Sequence, residues 1–184
     1  MTQVALRPAT LEDVESLAKL GRESFCAAFA HLYRPEDLAG FLEQCYSHPA
    51  VAEEVSDDVH RHRLAVDPAS GALLGYVKIR VPSYYAEHSD ATNPIALCQL
   101  YTDAARTGMG IGAALMDWAL GEARAGGHDA VQLSVWSENY GAQRFYARYG
   151  FAKIADIHFD VGEQRDEEFL YELRLDTPTP TSAG

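Results

Sequence analysis

A short glycine-rich segment between a predicted strand and a predicted helix constrains this chain more than any other feature. Residues 95–102 form an apolar run typical of a strand, and 110–125 have helical spacing that ends at Gly126-Gly127. Glycine occupies three alternate positions between 107 and 113, in the order Thr107, Gly108, Met109, Gly110, Ile111, Gly112 and Ala113. Glycines allow close approach of a ligand to the backbone, and the first helical turn offers free N–H groups at the positive end of the helix dipole. The segment therefore predicts a binding site for phosphate or pyrophosphate.

Two other interpretations of this segment stay open. Residues 108–113 also match the G-x-G-x-x-G/A pattern of dinucleotide-binding folds, which would make the chain a nicotinamide oxidoreductase. In those folds the loop follows its strand tightly and an acidic residue ends the next strand, whereas here residues 103–107 intervene and the next strand ends in Val135-Trp136-Ser137. The second interpretation is a packing turn without a ligand, although each glycine in a helix costs about 1 kcal/mol relative to alanine. The P-loop pattern fails because no Gly-Lys-Ser/Thr follows the glycines.

Composition and charge narrow the classes of function. The chain has 184 residues, of which 47% are hydrophobic, as expected for one globular domain. Its net charge of −12 would repel a phosphate backbone, so we expect no nucleic-acid partner. The sequence has no apolar run of 18 residues and no signal-peptide pattern, so we expect no membrane partner. Three widely spaced cysteines then indicate reduced thiols and a cytoplasmic location.

Hydrophobic periodicity predicts a mixed α/β fold. Residues 1–175 are expected to form one domain, followed by a flexible tail at 176–184 that contains two prolines. Helices are predicted to begin after Thr10, at Pro35 and after Asn139. Strands are predicted near 4–6 and at 63–67, 72–82, 95–102, 131–135, 152–156 and 168–175. The best-defined unit is a right-handed crossover from strand 95–102 through helix 110–125 to strand 131–135.

Two segments together resemble the GNAT family of acetyltransferases. Residues 100–115 are similar to the family's acyl-CoA segment, Gln/Arg-x-x-Gly-x-Gly/Ala, with Thr107 at the Gln/Arg position. Residues 139–151 are similar to the family pattern N-x-x-A-x-x-F-Y-x-x-x-G-F. The resemblance covers about residues 3–175 and implies the GNAT acyl-CoA N-acyltransferase fold, in which helices flank a central, mostly antiparallel sheet with two splayed strands. The activity that it implies is transfer of an acetyl group from acetyl-CoA to an amine.

The resemblance also implies where the cosubstrate acetyl-CoA lies. The backbone of Leu100 and Thr102 would pair with the pantetheine arm, and an N–H of Leu100 or Tyr101 would face the thioester oxygen. The pyrophosphate would be held by Thr107, Gly108, Met109, Gly110, Ile111, Gly112 and Ala113. Asn139 and Ala142 would contact the cofactor from the following helix, although Asn139 is also a good N-cap. Tyr146 matches the family's general acid, which protonates the departing thiolate; its alternative role is core packing.

The acceptor side is less defined. Residues 29–38 and 159–164 resemble the bacterial spermidine/spermine acetyltransferases, which implies a small, cationic, polyamine-like amine as the substrate. Phe29, Tyr33 and Tyr84 are the candidate substrate-binding residues, and a homodimer is the assembly that we consider. The sequence does not identify the general base. The candidates are His31, Glu36, Asp37 or a bound water.

Two further features bear on the chemistry. Cys98 is interpreted as a small buried apolar residue rather than a nucleophile. His60 and His62 form the closest histidine pair, but no cysteine or acid spacing completes a ligand set, so we expect no metal. The alternative function is a non-catalytic acyl-CoA sensor with the same fold, because the base and the Gln/Arg position are unmatched.

Overall fold

The structure is a computed structural model, which describes residues 4–106 and 108–176. It contains a seven-stranded sheet in the order β1-β2-β3-β4-β5-β7-β6. The strands are β1 (Ala5–Pro8), β2 (His60–Val66), β3 (Leu73–Arg80), β4 (Pro94–Thr102), β5 (Ala130–Trp136), β6 (Ala152–Val161) and β7 (Gln164–Arg174). The helices are α1 (Val14–Phe29), α2 (Pro35–Tyr46), α3 (His48–Ser56), α4 (Ile111–Ala125) and α5 (Tyr140–Arg148). All strand pairs are antiparallel except β4–β5, so the predicted mixed class with a mostly antiparallel sheet is confirmed.

Helices cover both faces of the sheet, as the alternation of side chains along the strands requires. The consecutive residues Leu64 and Ala65 are both buried but belong to different apolar clusters, because successive strand side chains point to opposite faces. On one face Leu64 packs with α1 and α3. On the other face Ala65 belongs to the cluster that contains Ile111 and Leu115, four residues apart on α4. Within the described ranges no helix combines the length and the apolar character needed to cross a bilayer.

Strands β4 and β5 diverge soon after they begin. They pair only from Pro94 to Ala96, opposite Ala130 to Gln132, while β4 continues along β3 and β5 continues along β7. Gln99 lies opposite Lys78 and Leu97 lies opposite Ile79, so Cys98 is an extra residue in β4. Such a β-bulge bends a strand and increases its twist. The sheet therefore has an internal gap at the carboxyl ends of its two parallel strands, as the splayed-strand expectation required.

The structure extends or adds elements that the sequence patterns left incomplete. The sequence patterns allowed two or three helices before β2 but gave no bounds for the third, α3, although Pro49 lies in its first turn and Ser47 caps it by accepting a hydrogen bond of 3.4 Å from the N–H of Ala50. Strands β6 and β7 also include residues 157–161 and 164–167, which lie outside the predicted strands 152–156 and 168–175. Residues 157–161 alternate between apolar and polar side chains, residues 164–167 are polar or charged, and the two segments pair with each other across the hairpin. Thr107 and all of the expected tail except Asp176 lie outside the described residues.

Candidate active site

The glycine loop and the first turn of α4 form one side of an open groove. Gly108 and Gly110 have φ values of 80° and 76°, a conformation that glycine adopts without strain. A Cβ added to either would meet no atom within 4 Å, so both face open space. Gly112 has an ordinary φ, and its Cβ would only touch Phe145 at 3.8 Å and Leu100 at 3.9 Å. The N–H groups in the first turn of α4 have no acceptor within the helix. They can therefore donate hydrogen bonds to an anion bound at this side of the groove.

The groove has a volume of about 1040 Å³ and brings together nearly all of the predicted cofactor residues. Those that line it are Leu100, Tyr101, Thr102, Gly108, Gly110, Ile111, Gly112, Ala113, Asn139, Ala142 and Tyr146. Met109 is placed differently, because its side chain packs against the apolar core. Arg106 and Arg148, which the sequence analysis did not assign to the site, supply two cations to the groove wall. Their charge suits a ligand that carries phosphates.

Asn139 and Tyr146 come from the two ends of α5. The Oδ1 atom of Asn139 accepts a hydrogen bond of 3.1 Å from the N–H of Ala142, which confirms its predicted role as the N-cap. The Tyr146 ring lies edge-on to Phe145 and Phe151, with centroid distances of 5.5 and 5.9 Å. Burial raises the pKa of the Tyr146 hydroxyl well above its usual range. This hydroxyl is therefore a proton donor rather than a phenolate at neutral pH.

A second cavity, of about 430 Å³, adjoins the groove. The two share a boundary in the gap between β4 and β5, formed by Ser24, Ala28, Leu100, Tyr101, Asn139, Ala142 and Tyr146. Phe29, Tyr33 and Tyr84, the predicted substrate-binding residues, all line this second cavity. A molecule in the groove and another in the cavity would thus meet beside Tyr146. We call this second space the acceptor cavity.

Aromatic side chains form most of the apolar wall of the acceptor cavity. They are Phe25, Phe29, Tyr33, Phe41, Tyr46, Tyr84, Tyr101, Trp136, Tyr146 and Phe159. Phe25 lies 4.6 Å from Phe41 and 5.1 Å from Phe29, measured between ring centroids, and Phe29 lies 5.7 Å from Trp136. These rings come from α1, α2 and α5, from strands β4, β5 and β6, and from the segments that follow α1 and β3. Their π faces can hold an organic cation as well as an alkyl chain.

Three carboxylates and one ammonium group also line the acceptor cavity. The Nζ atom of Lys78 donates to both carboxylate oxygens of Glu54 at 2.8 Å, so this pair neutralises itself. Asp166 accepts hydrogen bonds from the Tyr33 hydroxyl at 2.5 Å and from Gln164 at 3.0 Å. Glu168 is the third carboxylate, and burial raises its pKa above the usual value for a glutamic acid. The sequence analysis missed all three carboxylates; the acidic run at 163–168 was a signal for Asp166 and Glu168 but not for Glu54.

The general-base candidates from the sequence do not line the acceptor cavity. The His31 ring packs at the edge of Trp136, 6.1 Å away between centroids. Glu36 is largely exposed, and Asp37 accepts a hydrogen bond of 2.8 Å from Arg34. Cys98 does line the cavity, but burial raises the pKa of its thiol, which keeps it neutral and supports its interpretation as a small packed residue.

Comparison with known proteins agrees with this geometry. A family model described as acetyltransferase (GNAT) matches residues 24–151. An uncharacterized N-acetyltransferase from the pepI 3′ region of Lactobacillus delbrueckii subsp. lactis is 27% identical over 176 residues, covering 95% of this chain and 99% of its own. An uncharacterized N-acetyltransferase of Mycobacterium bovis is 28% identical over 160 residues, covering 87% and 96%.

Solved structures share the fold. The PaiA N-acetyltransferase of Thermoplasma acidophilum, crystallised in complex with coenzyme A, superposes with a TM-score of 0.74 at 22% identity, covering 94% of this chain and 99% of its own. NAA60 of Arabidopsis thaliana in complex with a bisubstrate analogue superposes with a TM-score of 0.75 at 18% identity, covering 96% and 100%. The sheet with its internal gap is therefore the GNAT fold, and the family model matches well over half of the sequence. The chain belongs to the acetyltransferase (GNAT) family.

Proposed function

We propose that this N-acetyltransferase transfers an acetyl group from acetyl-CoA to the primary amine of a small, cationic, polyamine-like molecule. Family membership and relatives that are named N-acetyltransferases support the transferase activity. The same relatives do not favour the alternative, a non-catalytic acyl-CoA sensor. Structural neighbours with coenzyme A or acetyl-CoA bound support acetyl-CoA as the cosubstrate. The proposal that the acceptor is a small cationic amine rests on the residues that line the acceptor cavity of this chain.

The cofactor fits the groove in a defined direction. Its pyrophosphate would lie on the first turn of α4, where the bare glycines, the free N–H groups and Arg106 and Arg148 converge. The pantetheine arm would then run along β4, past Leu100 and Thr102, and fill the gap where β5 has departed. In that direction the thioester would lie beside Tyr146, which lines both the groove and the acceptor cavity.

The observation that carries the acceptor class is the combination of aromatic rings and carboxylates in the acceptor cavity. Its wall has three carboxylates against one ammonium group, and that ammonium group is already paired with Glu54. An apolar wall makes such charges expensive unless a cation compensates them. Lys78 on β3 and Glu168 on β7 are separated by β4 and β5, so the cavity spans on the order of 14 Å at the usual strand spacing. This length suits an extended aliphatic amine.

The reaction that we propose is direct attack in a ternary complex. The neutral amine nitrogen attacks the thioester carbonyl carbon, and an N–H of Leu100 or Tyr101 stabilises the developing oxyanion. As the C–S bond breaks, the Tyr146 hydroxyl protonates the departing thiolate. The phenolate then recovers a proton from the positively charged nitrogen of the intermediate, which leaves a neutral amide. The overall reaction releases one proton from the original ammonium group.

An acceptor panel tests this proposal directly. Free thiol release from acetyl-CoA should be fastest with aliphatic diamines and spermidine, and the rate at low acceptor concentration should fall with added salt. Much faster acetylation of a peptide N-terminus or a neutral aromatic amine would reject the acceptor class. Coenzyme A at 100 times its dissociation constant should stabilise the protein by about 2.7 kcal/mol, whereas NAD should not. No thermal shift with saturating coenzyme A would contradict the cofactor assignment.

A further inference from the structure

Glu168 occupies a special position in the wall of the acceptor cavity. It lies on β7 directly opposite Trp136 of β5, at the end of the strand that borders the gap. Asp166 and Glu168, two residues apart, both line the cavity, while Glu167 between them is exposed. This alternation follows from the two-residue period of a strand. The fold therefore holds two carboxylates of this acidic run, Asp166 and Glu168, in the cavity wall and turns Glu167 outward.

Of the three carboxylates in this cavity, Glu168 has the fewest partners among the described residues, and none of them is a cation. Glu54 is paired with Lys78, and Asp166 accepts hydrogen bonds from Tyr33 and Gln164. Among the residues that the structure describes, no lysine, arginine or histidine lies within salt-bridge distance of Glu168. A half-buried carboxylate without a counter-ion is unfavourable unless its partner arrives with the substrate. An acceptor ammonium group is such a partner.

We propose that Glu168 is the general base of this acetyltransferase, which accepts a proton from the acceptor's ammonium group before the nitrogen attacks. In this step an N–H bond of the ammonium breaks, its electron pair stays on nitrogen as the nucleophilic lone pair, and the proton becomes bound to a carboxylate oxygen of Glu168. After the product leaves, that proton passes to solvent and restores the carboxylate. The inference rests on the proposed function, since it assumes a cationic amine as the acceptor.

The surroundings of Glu168 suit this role. Burial and the charge of Asp166 raise its pKa, and the Ser134 hydroxyl of β5 partly offsets that rise. The charge of Glu168 also contributes to the raised pKa values of three tyrosines, Tyr33, Tyr85 and Tyr101. These tyrosines therefore stay neutral. A carboxylate of raised pKa is a stronger base than an exposed one. At pH 7 only about one aliphatic amine in 10³ is neutral in water. A base in the cavity that removes the ammonium proton can therefore increase the reaction rate greatly.

The test compares Glu168→Gln with Glu167→Gln. The two substitutions remove the same charge from adjacent residues, but only the first changes the cavity. For Glu168→Gln we expect kcat/KM with a diamine at pH 7 to fall by roughly 10²–10⁴-fold, the usual range for loss of an acid–base group. The thermal shift with coenzyme A should be retained in both variants, which verifies that they fold. Glu168→Asp should recover part of the activity, because it keeps a carboxylate.

The pH profile separates a base from a mere anchor for the ammonium group. Wild-type and Glu167→Gln kcat/KM should rise as Glu168 ionises and then reach a plateau. For Glu168→Gln, kcat/KM should instead increase about tenfold per pH unit up to the pKa of the amine near 10, where the variants converge. A Glu168→Gln protein with a higher KM, unchanged kcat and the wild-type plateau would overturn the proposal, as would full activity. Failure of the proposed function would look different: the wild type would bind coenzyme A but acetylate no cationic amine.

Discussion

The Tyr33 hydroxyl donates a hydrogen bond of 2.5 Å to the carboxylate of Asp166, 133 positions later in the sequence. This bond fastens β7 to the segment between α1 and α2, and Arg34 adds an ion pair of 3.1 Å to Glu163 in the same region. The turn of the β6–β7 hairpin packs so closely on α2 that a Cβ at Gly162 would collide with Asp37. The two walls of the acceptor cavity are thus joined by polar contacts at one end.

Tyr33→Phe should weaken this junction. The substitution keeps the ring but leaves a buried carboxylate oxygen of Asp166 without its donor, which typically costs about 1–3 kcal/mol of the free energy of unfolding. Urea denaturation should show a lower midpoint, and KM for the acceptor should rise while coenzyme A binding stays the same. Tyr140→Phe is the control, because Tyr140 is 63% exposed. Equal midpoints for both variants would show that the bond contributes nothing to stability.

Tyr146→Phe should lower kcat by roughly 10²–10⁴-fold with little change in coenzyme A affinity. The ring would still pack between Phe145 and Phe151, so only the proton donor is lost. Steady-state rates and coenzyme A titrations measure the two effects. Tyr149→Phe is the matched control, since Tyr149 lines neither the groove nor the acceptor cavity and its hydroxyl lies 3.5 Å from the Ala113 carbonyl oxygen. If Tyr146→Phe were as fast as this control, Tyr146 would not be the general acid and its role would be core packing.

Gly112→Asp should abolish coenzyme A binding without unfolding the protein. Gly112 has no positive φ, and a side chain there meets only ordinary contacts, so no strain follows. An aspartate in the first turn of α4 even favours the helix, but its charge would repel the pyrophosphate. Calorimetric titration with coenzyme A measures the loss. Gly40→Asp, on the exposed face of α2, makes the same change away from the groove and should bind normally; equal affinity of the two would refute the proposed phosphate position.

His62 should make the protein less stable in mild acid. Burial, reinforced by Lys78, lowers the pKa of His62 to about 3, whereas an unfolded histidine titrates near 6.5. Between these values the unfolded chain binds a proton that the folded chain does not, so the free energy of unfolding falls as pH falls, by up to about 1.4 kcal/mol per pH unit. Unfolding midpoints at pH 7 and 5 should differ less in His62→Gln than in the wild type. His158→Gln, at an exposed position, should keep the wild-type slope; the same slope in His62→Gln would contradict the assignment.

Local signals explain why the cofactor side was largely predictable. The glycines of 108–112, the capping Asn139 and the spacing to Tyr146 each belong to one short segment whose conformation its own residues determine. Gly110 and Asn139 are the N-caps of α4 and α5, and the regular geometry of each helix then determines the directions of its side chains. The resemblance to the GNAT family, which these short segments carry, therefore grouped these residues correctly around one groove, apart from Met109, whose apolar side chain packs against the core.

The acceptor side depends on contacts that no local pattern contains. Glu168 and Asp166 enter the cavity because β7 pairs with β5, about thirty residues earlier, and in the sequence they are part of a charged run typical of a solvated surface. Helix α3 and the Glu54–Lys78 pair likewise depend on tertiary packing. The general-base candidates at 31, 36 and 37 were chosen for side-chain chemistry alone, and the fold directs them elsewhere.

The gap between β4 and β5 gives the sheet an edge in its interior. Backbone amides of β4 on the β5 side, beyond Ala96, have no strand partner there, although β3 continues to pair with the other side. A pantetheine arm along this edge would complete the ladder as an eighth, non-peptide strand. The deuterium uptake of these few amides would then report occupancy of the site, since they should exchange quickly in the empty protein and slowly in the complex, while amides shared by β5 and β7 should be protected throughout.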